Sequence, residues 1–497
     1  MLSRNKAISL DDGKTSWPRE AAAPVRICKA NSRRTNRPRC TLCRVRSCTP
    51  RITKNINRYE VNTMININHF KGLTDSDKFD LAMKNVGSDG IVVVPPRESD
   101  VEPERSFWLI DRAILIPANT TVILQNCTIK LSDKCRDNFF RSANCGLGIE
   151  EIERISNIHI RGEGLCTLLG ADHPRAAGDG TKVMACPCPK KPEDLCRLAG
   201  WIPEERRQPG RLDFWDEHSH SYGTDAGKES ESQYGDWRGI GILFACVDRF
   251  SIENLRIVES HGWAISCEDC ANGRIEKIDF DACMAKEIDG MLMNMENQDG
   301  IDLRNGCHDI IISDITGGTG DDVIALTAIA NEDKAFRPSG SIHSTHVMHN
   351  DWSRRSRDIH DIIIRNVTAY SKGRCCFIVR LLPGNAHIWN VVIDGVVDNT
   401  PNEACRANGV LLLGEEDGAY GKNPVDGMRH ITLSNIICNS RRAIIVSGFL
   451  SDSVISNVIN RNPDCPVIDV TRVNGFKNVL TSNLLSASPE IIHENKG

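Results

Sequence analysis

The feature that most constrains this chain is a four-residue run, apolar–polar–polar–apolar, usually with Asn, Asp or Gly in third place. The series is Ile252-Glu-Asn-Leu255, Ile275-Glu-Lys-Ile278, Ile312-Ser-Asp-Ile315, Ile364-Arg-Asn-Val367, Ile393-Asp-Gly-Val396, Leu433-Ser-Asn-Ile436 and Ile455-Ser-Asn-Val458. Successive runs are 23, 37, 52, 29, 40 and 22 residues apart. Each reads as a strand turning a corner, where Asn or Gly accepts left-handed backbone and stacks on its copies above and below. Such units cannot bury their faces singly, so stacking must supply the stability. The expected fold is all-β, a right-handed single-stranded parallel β-helix with a short N-terminal capping helix. Short steps are bare coils; long ones imply skipped coils or coils that carry loops. A propeller or sandwich would need hairpin turns at regular spacing, which the sequence lacks.

A solenoid of this kind makes one elongated domain of almost any length, so 497 residues do not imply several domains. Residues 62–116 are expected to form the N-terminal cap and first coils, and 117–490 the body. Asp75 is placed to cap a helix running to Val86, with Phe79, Ala82, Met83 and Val86 on the face that covers the first rung. Ile91–Val94 follows as a buried strand. Residues 1–58 hold 15 Lys and Arg against 3 Asp and Glu, so of a formal −5 about +12 lies there and −17 on the rest. This basic stretch, 1–60, shows no helix or strand period. It reads as a disordered tail, or as sequence ahead of a true start at Met64. Its Cys40-x2-Cys43-x4-Cys48 spacing lacks the paired set that would make zinc the reading of choice.

The acidic body argues against nucleic acid as a partner of the main domain. Twenty-one cysteines, scattered at strand-like positions, read as buried thiols in the interior of a protein made in a reducing compartment. No apolar run is long enough for a membrane helix, and no secretory signal is visible, so the expected location is the cytoplasm.

The chemistry concentrates in Asn297-Gln298-Asp299-Gly300-Ile301-Asp302 and Gly320-Asp321-Asp322-Val323-Ile324-Ala325-Leu326. Asp299 precedes Asp321 and Asp322 by 22 and 23 residues. If that is one coil, the carboxylates lie on successive rungs roughly 4.8 Å apart. Adjacent strand residues point to opposite faces, so Asp321 and Asp322 reach one cleft only through a bend, which Gly317-Gly318-Thr319-Gly320 permits. Crowded carboxylates raise one another's pKa, giving one protonated and one ionised group near neutrality. Asp302, Asp309 and Asp314 read instead as residues that cap turns.

These two motifs resemble the paired signatures of the polygalacturonase family of glycoside hydrolases, which have the pectin-lyase-like β-helix. Arg238-Gly239 through Cys246, Phe250 to Leu255, Ser260-His261-Gly262-Trp263-Ala264-Ile265 and segment 74–124 extend the resemblance over roughly 62–485. It implies that Asp299, Asp321 and Asp322 are catalytic, with Asp321 the acid and Asp299 and Asp322 holding the attacking water in an inverting reaction. Asn297, Arg238, His261, Trp263, His343, Arg374 and Arg380 are the implied substrate contacts. The family's Gly-His-Gly is absent, with Gly340-Ser341-Ile342-His343 its nearest remnant. Its Arg-Ile-Lys is replaced by a strand holding Arg374 and Arg380. Both departures bear on recognition of an acidic sugar, and an acidic body suits polygalacturonate only if the site is locally basic.

Two insertions, 171–236 and 330–358, flank the carboxylate coils and are expected to wall a sugar-binding cleft. His343, His346 and His349 in the second are read as facing solvent or sugar, so neither metal nor cofactor is expected. Trp237, Trp263 and Trp352 are candidates for stacking on a sugar ring as well as for plain packing. Three functions stay open: an inverting hydrolase of a galacturonide- or galactoside-like oligo- or polysaccharide, a polysaccharide lyase with Arg374 or Arg380 as base, and a non-catalytic carbohydrate-binding β-helix.

Overall fold

In the computed structural model every run of the series enters one continuous parallel sheet. The structure describes residues 64–87, 90–135, 137–146, 149, 151–172, 237–288, 291–295, 297–330, 346–348, 352–373, 376–401, 409–415, 417 and 421–496. Among these, the strands form a 15-stranded and an 11-stranded sheet, here the long and short sheets, plus a two-stranded hairpin. Residues 60–497 form one unit, and they build the expected parallel β-helix. The basic segment 1–60 lies outside the described residues.

Ile252 pairs with Ile275, Ile275 with Ile312, Ile312 with Ile364, Ile364 with Ile393, Ile393 with Leu433, and Leu433 with Ile455. Each step is therefore a single coil, and no coil is skipped. The long steps carry extra chain, such as the antiparallel hairpin Ala285–Ile288 with Met291–Asn294. All seven residues of this column are fully buried in the interior.

The third residue of each run has left-handed backbone: Asn254, Lys277, Asp314, Asn366, Gly395, Asn435 and Asn457 all have positive φ. Their side chains stack as expected, with Asn366 donating to Asp314 at 3.2 Å and Asn457 to Asn435 at 3.1 Å. A second left-handed column stands five residues earlier, through Arg249, Asn272, Asp309, Asp361, Asn390, His430 and Asp452. The sequence reading did not separate it from the strand pattern. Two bends per strand let each pass of the long sheet wrap around the core.

The helix spans Asp75–Asn85 and buries Phe79, Ala82 and Met83 against the first coils, as expected. Its cap is Thr74 and not Asp75: the Thr74 hydroxyl accepts the Asp77 amide at 3.2 Å. Asp75 is instead buried, and binds Arg97 at 2.9 Å and the Leu109 amide at 2.9 Å. Among the described residues all cysteines are free thiols, and only Cys283 is not fully buried.

Five strands of the short sheet position the site: β1 (Ile242–Ala245), β2 (Ile265–Glu268), β3 (Ile301–Arg304), β4 (Ile324–Ile329) and β5 (Phe377–Gly384). Ile265 and Cys267, Ile301 and Leu303, Ile324 and Leu326 point into the core. By alternation Ser266 and Glu268, Asp302 and Arg304, Ala325 and Thr327 point outward.

Ile312→Ala removes a fully buried side chain wedged between two others, and should cost about 3 kcal/mol in urea unfolding. Ile363→Ala, on the next strand of the same sheet, beside Ile364 but outward and 38% exposed, should cost under about 1 kcal/mol. Equal losses would contradict the stacking assigned here.

Candidate active site

Stacking brings the two acidic motifs together. The register Ile301↔Ile324 sets Asp299 beside Asp322, and the Gly300 amide donates to the Asp322 carbonyl at 2.9 Å. Ala264 donates to the Asp299 carbonyl at 2.8 Å and Val323 to the Phe377 carbonyl at 3.0 Å, so four successive coils line up at the entry edge of the short sheet.

The chain bends between Thr319, which ends one strand, and Ile324, which opens β4. The Gly320 and Asp321 amides both turn to the Gln298 carbonyl, at 2.9 and 3.3 Å, and the Thr319 hydroxyl donates to the Asp321 carbonyl at 2.6 Å. A Cβ on Gly320 would lie 2.8 Å from that of Gln298, so the bend tolerates only glycine there. Gln298 is itself buried, donating to the Ser260 carbonyl at 2.7 Å and accepting the Met284 amide at 3.0 Å. It fixes the position of the bend. The sequence reading passed over it, although it sits inside the first motif. The bend turns Asp321 and Asp322 the same way, and oxygens of Asp299, Asp321 and Asp322 lie within 4.8 Å of one another.

Two like charges at that spacing repel by about 3 kcal/mol at an effective dielectric near 20. Burial, then the charges of Asp321, Asp302 and Asp322, push the Asp299 carboxyl well above the usual range; Arg380 opposes the shift. Burial lifts Asp322 to about 7 against the pull of Arg380. Arg380 donates to one Asp322 oxygen at 2.8 Å and the Phe377 amide to the other at 2.6 Å, so both bonds favour its ionised form. Asp321 is the half-exposed member of the three.

Asp302 is not a turn residue. It lies in β3, fully buried on the outward face, and is pushed well above the usual range by burial and by Asp322 and Asp321, against Arg304. The turn reading failed because a lone Asp carries no sign of which sheet face it will occupy. Asp309 and Asp314 do take left-handed turn conformations. Asp299 Oδ1 and Asp302 Oδ2 are buried with no hydrogen-bond partner among the described residues. The spacing of the three oxygens would also suit a cation, although Arg380 already occupies Asp322.

Of the anticipated substrate contacts, Arg380 touches a carboxylate directly, and its other nitrogen lies 3.6 Å from Glu415. Asn297 holds a left-handed turn just ahead of Asp299. His261, on the preceding coil, is buried and accepts the Ala171 amide at 2.9 Å. Trp263 is half-buried, with the Arg304 guanidinium 4.7 Å from its ring centre. Arg238 lies a coil further back, its guanidinium 6.0 Å from the Trp237 ring. Trp237 is buried against apolar neighbours and serves packing. His343, His349 and Arg374 lie outside the described residues. His346 faces neither solvent nor sugar: it is buried against Glu268 and Arg304, because two charged residues of β2 and β3 supply partners that no loop pattern reveals.

Residues 221–337, which include all three carboxylates, match the glycosyl hydrolases family 28. No curated protein matches the chain in sequence. Among solved structures it is similar to a polygalacturonase from Erwinia carotovora ssp. carotovora, with 12% identity, 88% of this chain and 95% of that chain covered, and a TM-score of 0.48. It is also similar to the endo-xylogalacturonan hydrolase from Aspergillus tubingensis (13% identity, 86% and 93% covered, TM-score 0.44). PfbA, a surface adhesin of Streptococcus pneumoniae, is a third (10% identity, 86% and 93% covered, TM-score 0.33). Likenesses this distant carry no argument about activity. The segment that holds the carboxylates is similar in sequence to glycosyl hydrolases family 28, and glycoside hydrolysis is the activity this match supports.

Asp299 titrates near pH 4 in the unfolded chain and well above that when folded. Between those values the folded state holds the extra proton, so stability falls as pH rises through the window. Asp299→Asn abolishes that loss. By thermal unfolding it should gain about 1 kcal/mol over the wild type at pH 8, with the gain shrinking toward pH 4.

Proposed function

We propose that the protein hydrolyses O-glycosidic bonds of a neutral, galactoside-like oligo- or polysaccharide with inversion of configuration. Asp321 protonates the leaving oxygen, while Asp299 and Asp322 hold the water, which ionised Asp322 activates. The observation that carries this reading is the convergence of the three carboxylates, with their oxygens within 4.8 Å and their environments unlike. Asp321 is the most accessible of the three, which suits the acid that must meet the leaving group. Asp322 is bound by Arg380 and the Phe377 amide, which suits a base. A water about 2.8 Å from an oxygen of each of Asp299 and Asp322 would be held at a roughly tetrahedral angle.

A retaining course, with Asp299 as nucleophile, is the second reading. The close spacing favours it, because retaining carboxyl pairs stand ~5 Å apart and inverting pairs ~6.5–9.5 Å. Proton NMR of the first anomer released separates the two.

Neutrality of the sugar follows from charge. Asp299, Asp302, Asp321, Asp322 and Glu415 face Arg304 and Arg380 among the described residues, and Arg380 already serves two of the acids. A uronate would find both arginines already engaged, Arg304 by His346 and Arg380 by Asp322 and Glu415. The same pairing leaves Arg380 poorly placed as the base of a lyase. A purely binding module would gain nothing from carboxylates forced together against their own repulsion.

Purified protein on a panel of neutral and acidic oligosaccharides should release reducing ends from galactosides, without the ultraviolet absorbance of an unsaturated uronate. Asp321→Asn should lose that activity by 10²-fold or more, on the order expected for a general acid. Absorbance that grows with turnover would instead establish a lyase, and preference for galacturonides would overturn neutrality. Because Asp322 must be ionised, kcat/KM should fall as pH drops below about 7. Arg380→Met, which removes the charge that lowers this value, should move that limb to higher pH.

A further inference from the structure

We infer that the cleft is closed on the side of β1 and β2, so that substrate extends from the carboxylates in one direction and bonds are cut next to a chain end. This rests on reading the carboxylates as a hydrolase site. A polymer lying along the stack would cross the outward faces of successive short-sheet strands. On the near side those faces are already filled by protein. Leu243 and Ala245 of β1 are fully buried, packed in an apolar cluster with Val347 and Met348 of the second insertion.

Residues 346–348 are held there by charge as well as by apolar contact. The Glu268 carboxylate of β2 accepts from His346 Nδ1 at 2.6 Å and from the Val347 and Met348 amides at 3.1 and 3.3 Å. The other ring nitrogen of His346 meets the guanidinium of Arg304 on β3. With Arg304 donating, the imidazole is neutral and gives its own proton to Glu268, so it bridges a buried cation and a buried anion. Glu268, Arg304 and His346 are 1%, 2% and 5% exposed, and burying a carboxylate so deeply is costly without these donors. Removing the segment would strand Glu268, so it stays in place over the sheet.

The far side is more open. Asp321, Thr327 and Arg380 are only partly buried and the Glu415 side chain is 33% exposed, with Ala325 and Leu382 buried between them. Sugar can therefore lie over β4 and β5 but not over β1 and β2.

The test uses the full chain in two measurements. On a polymer that it hydrolyses, reducing ends should accumulate while viscosity barely falls, and the products should be of one short size. Early collapse of viscosity with mixed product sizes would overturn the inference. Val347→Gly with Met348→Gly, which thins the covering, should broaden the product sizes. Separately, calorimetry of Asp321→Asn with galacto-oligosaccharides and oligogalacturonides of increasing length should show affinity that stops rising after the first few sugars. Affinity that grows with every added sugar would overturn the inference, as would no binding at any length. If reducing ends never appear, the hydrolase reading fails, and the binding series still decides whether the cleft is closed.

Discussion

Everything in this molecule depends on one coil lying in register on the next. The register is held from within by a column of Ile, Val and Leu that runs through fully buried residues such as Ile312 and Ile364. At the corners it is held by left-handed Asn, Asp and Gly, whose side chains hydrogen-bond to their copies. A slip of one residue would turn every core side chain to the surface. Because register is so strongly specified, a separation of one coil in sequence becomes contact in space. That is how Asp299 comes to lie beside Asp322 without any local interaction drawing them together.

The site uses this rigidity against its own electrostatics. Four carboxyl groups, Asp299, Asp302, Asp321 and Asp322, sit at the edge of one sheet, where burial and mutual repulsion lift three of them above the usual range. A flexible loop would relax by moving them apart. Here each is fixed to a different point of a stacked scaffold, so the strain is met by proton uptake instead. Arg380 offsets part of it and separates the roles within the cluster, by favouring the ionised form of Asp322 and leaving Asp321 toward solvent.

Further along the same face, Glu268, His346 and Arg304 form a second buried polar cluster with the opposite character. Its Glu268 carboxylate is met by His346 and two backbone amides, and it joins strands to an insertion. One cluster crowds like charges and faces the cleft, whereas the other brings opposite charges together and fixes a wall. Desolvation acts on both; the difference lies in whether partners were supplied.

How much could be read beforehand follows from the range of each cause. The apolar–polar–polar–apolar runs specified the β-helix, the interior column and the left-handed corners, because these repeat locally and every copy faces the same demand. The pairing of Asp299 with Asp321 and Asp322 was legible for the same reason, as was the bend at Gly320. Asp302 was read as a turn residue, Asp75 as a cap, and His346 as exposed, since each depends on which strand or insertion becomes its neighbour. Gln298, Glu268 and Arg304 carried no signal, being single polar residues in strands or loops that only stacking buries. The sequence by itself determined the coil, its repeat and the meeting of the three carboxylates, because regular stacking converts spacing into distance. Which polar groups are buried, which find partners and which side of the cleft is filled were decided by the tertiary structure, because desolvation exists only once distant segments close over a side chain.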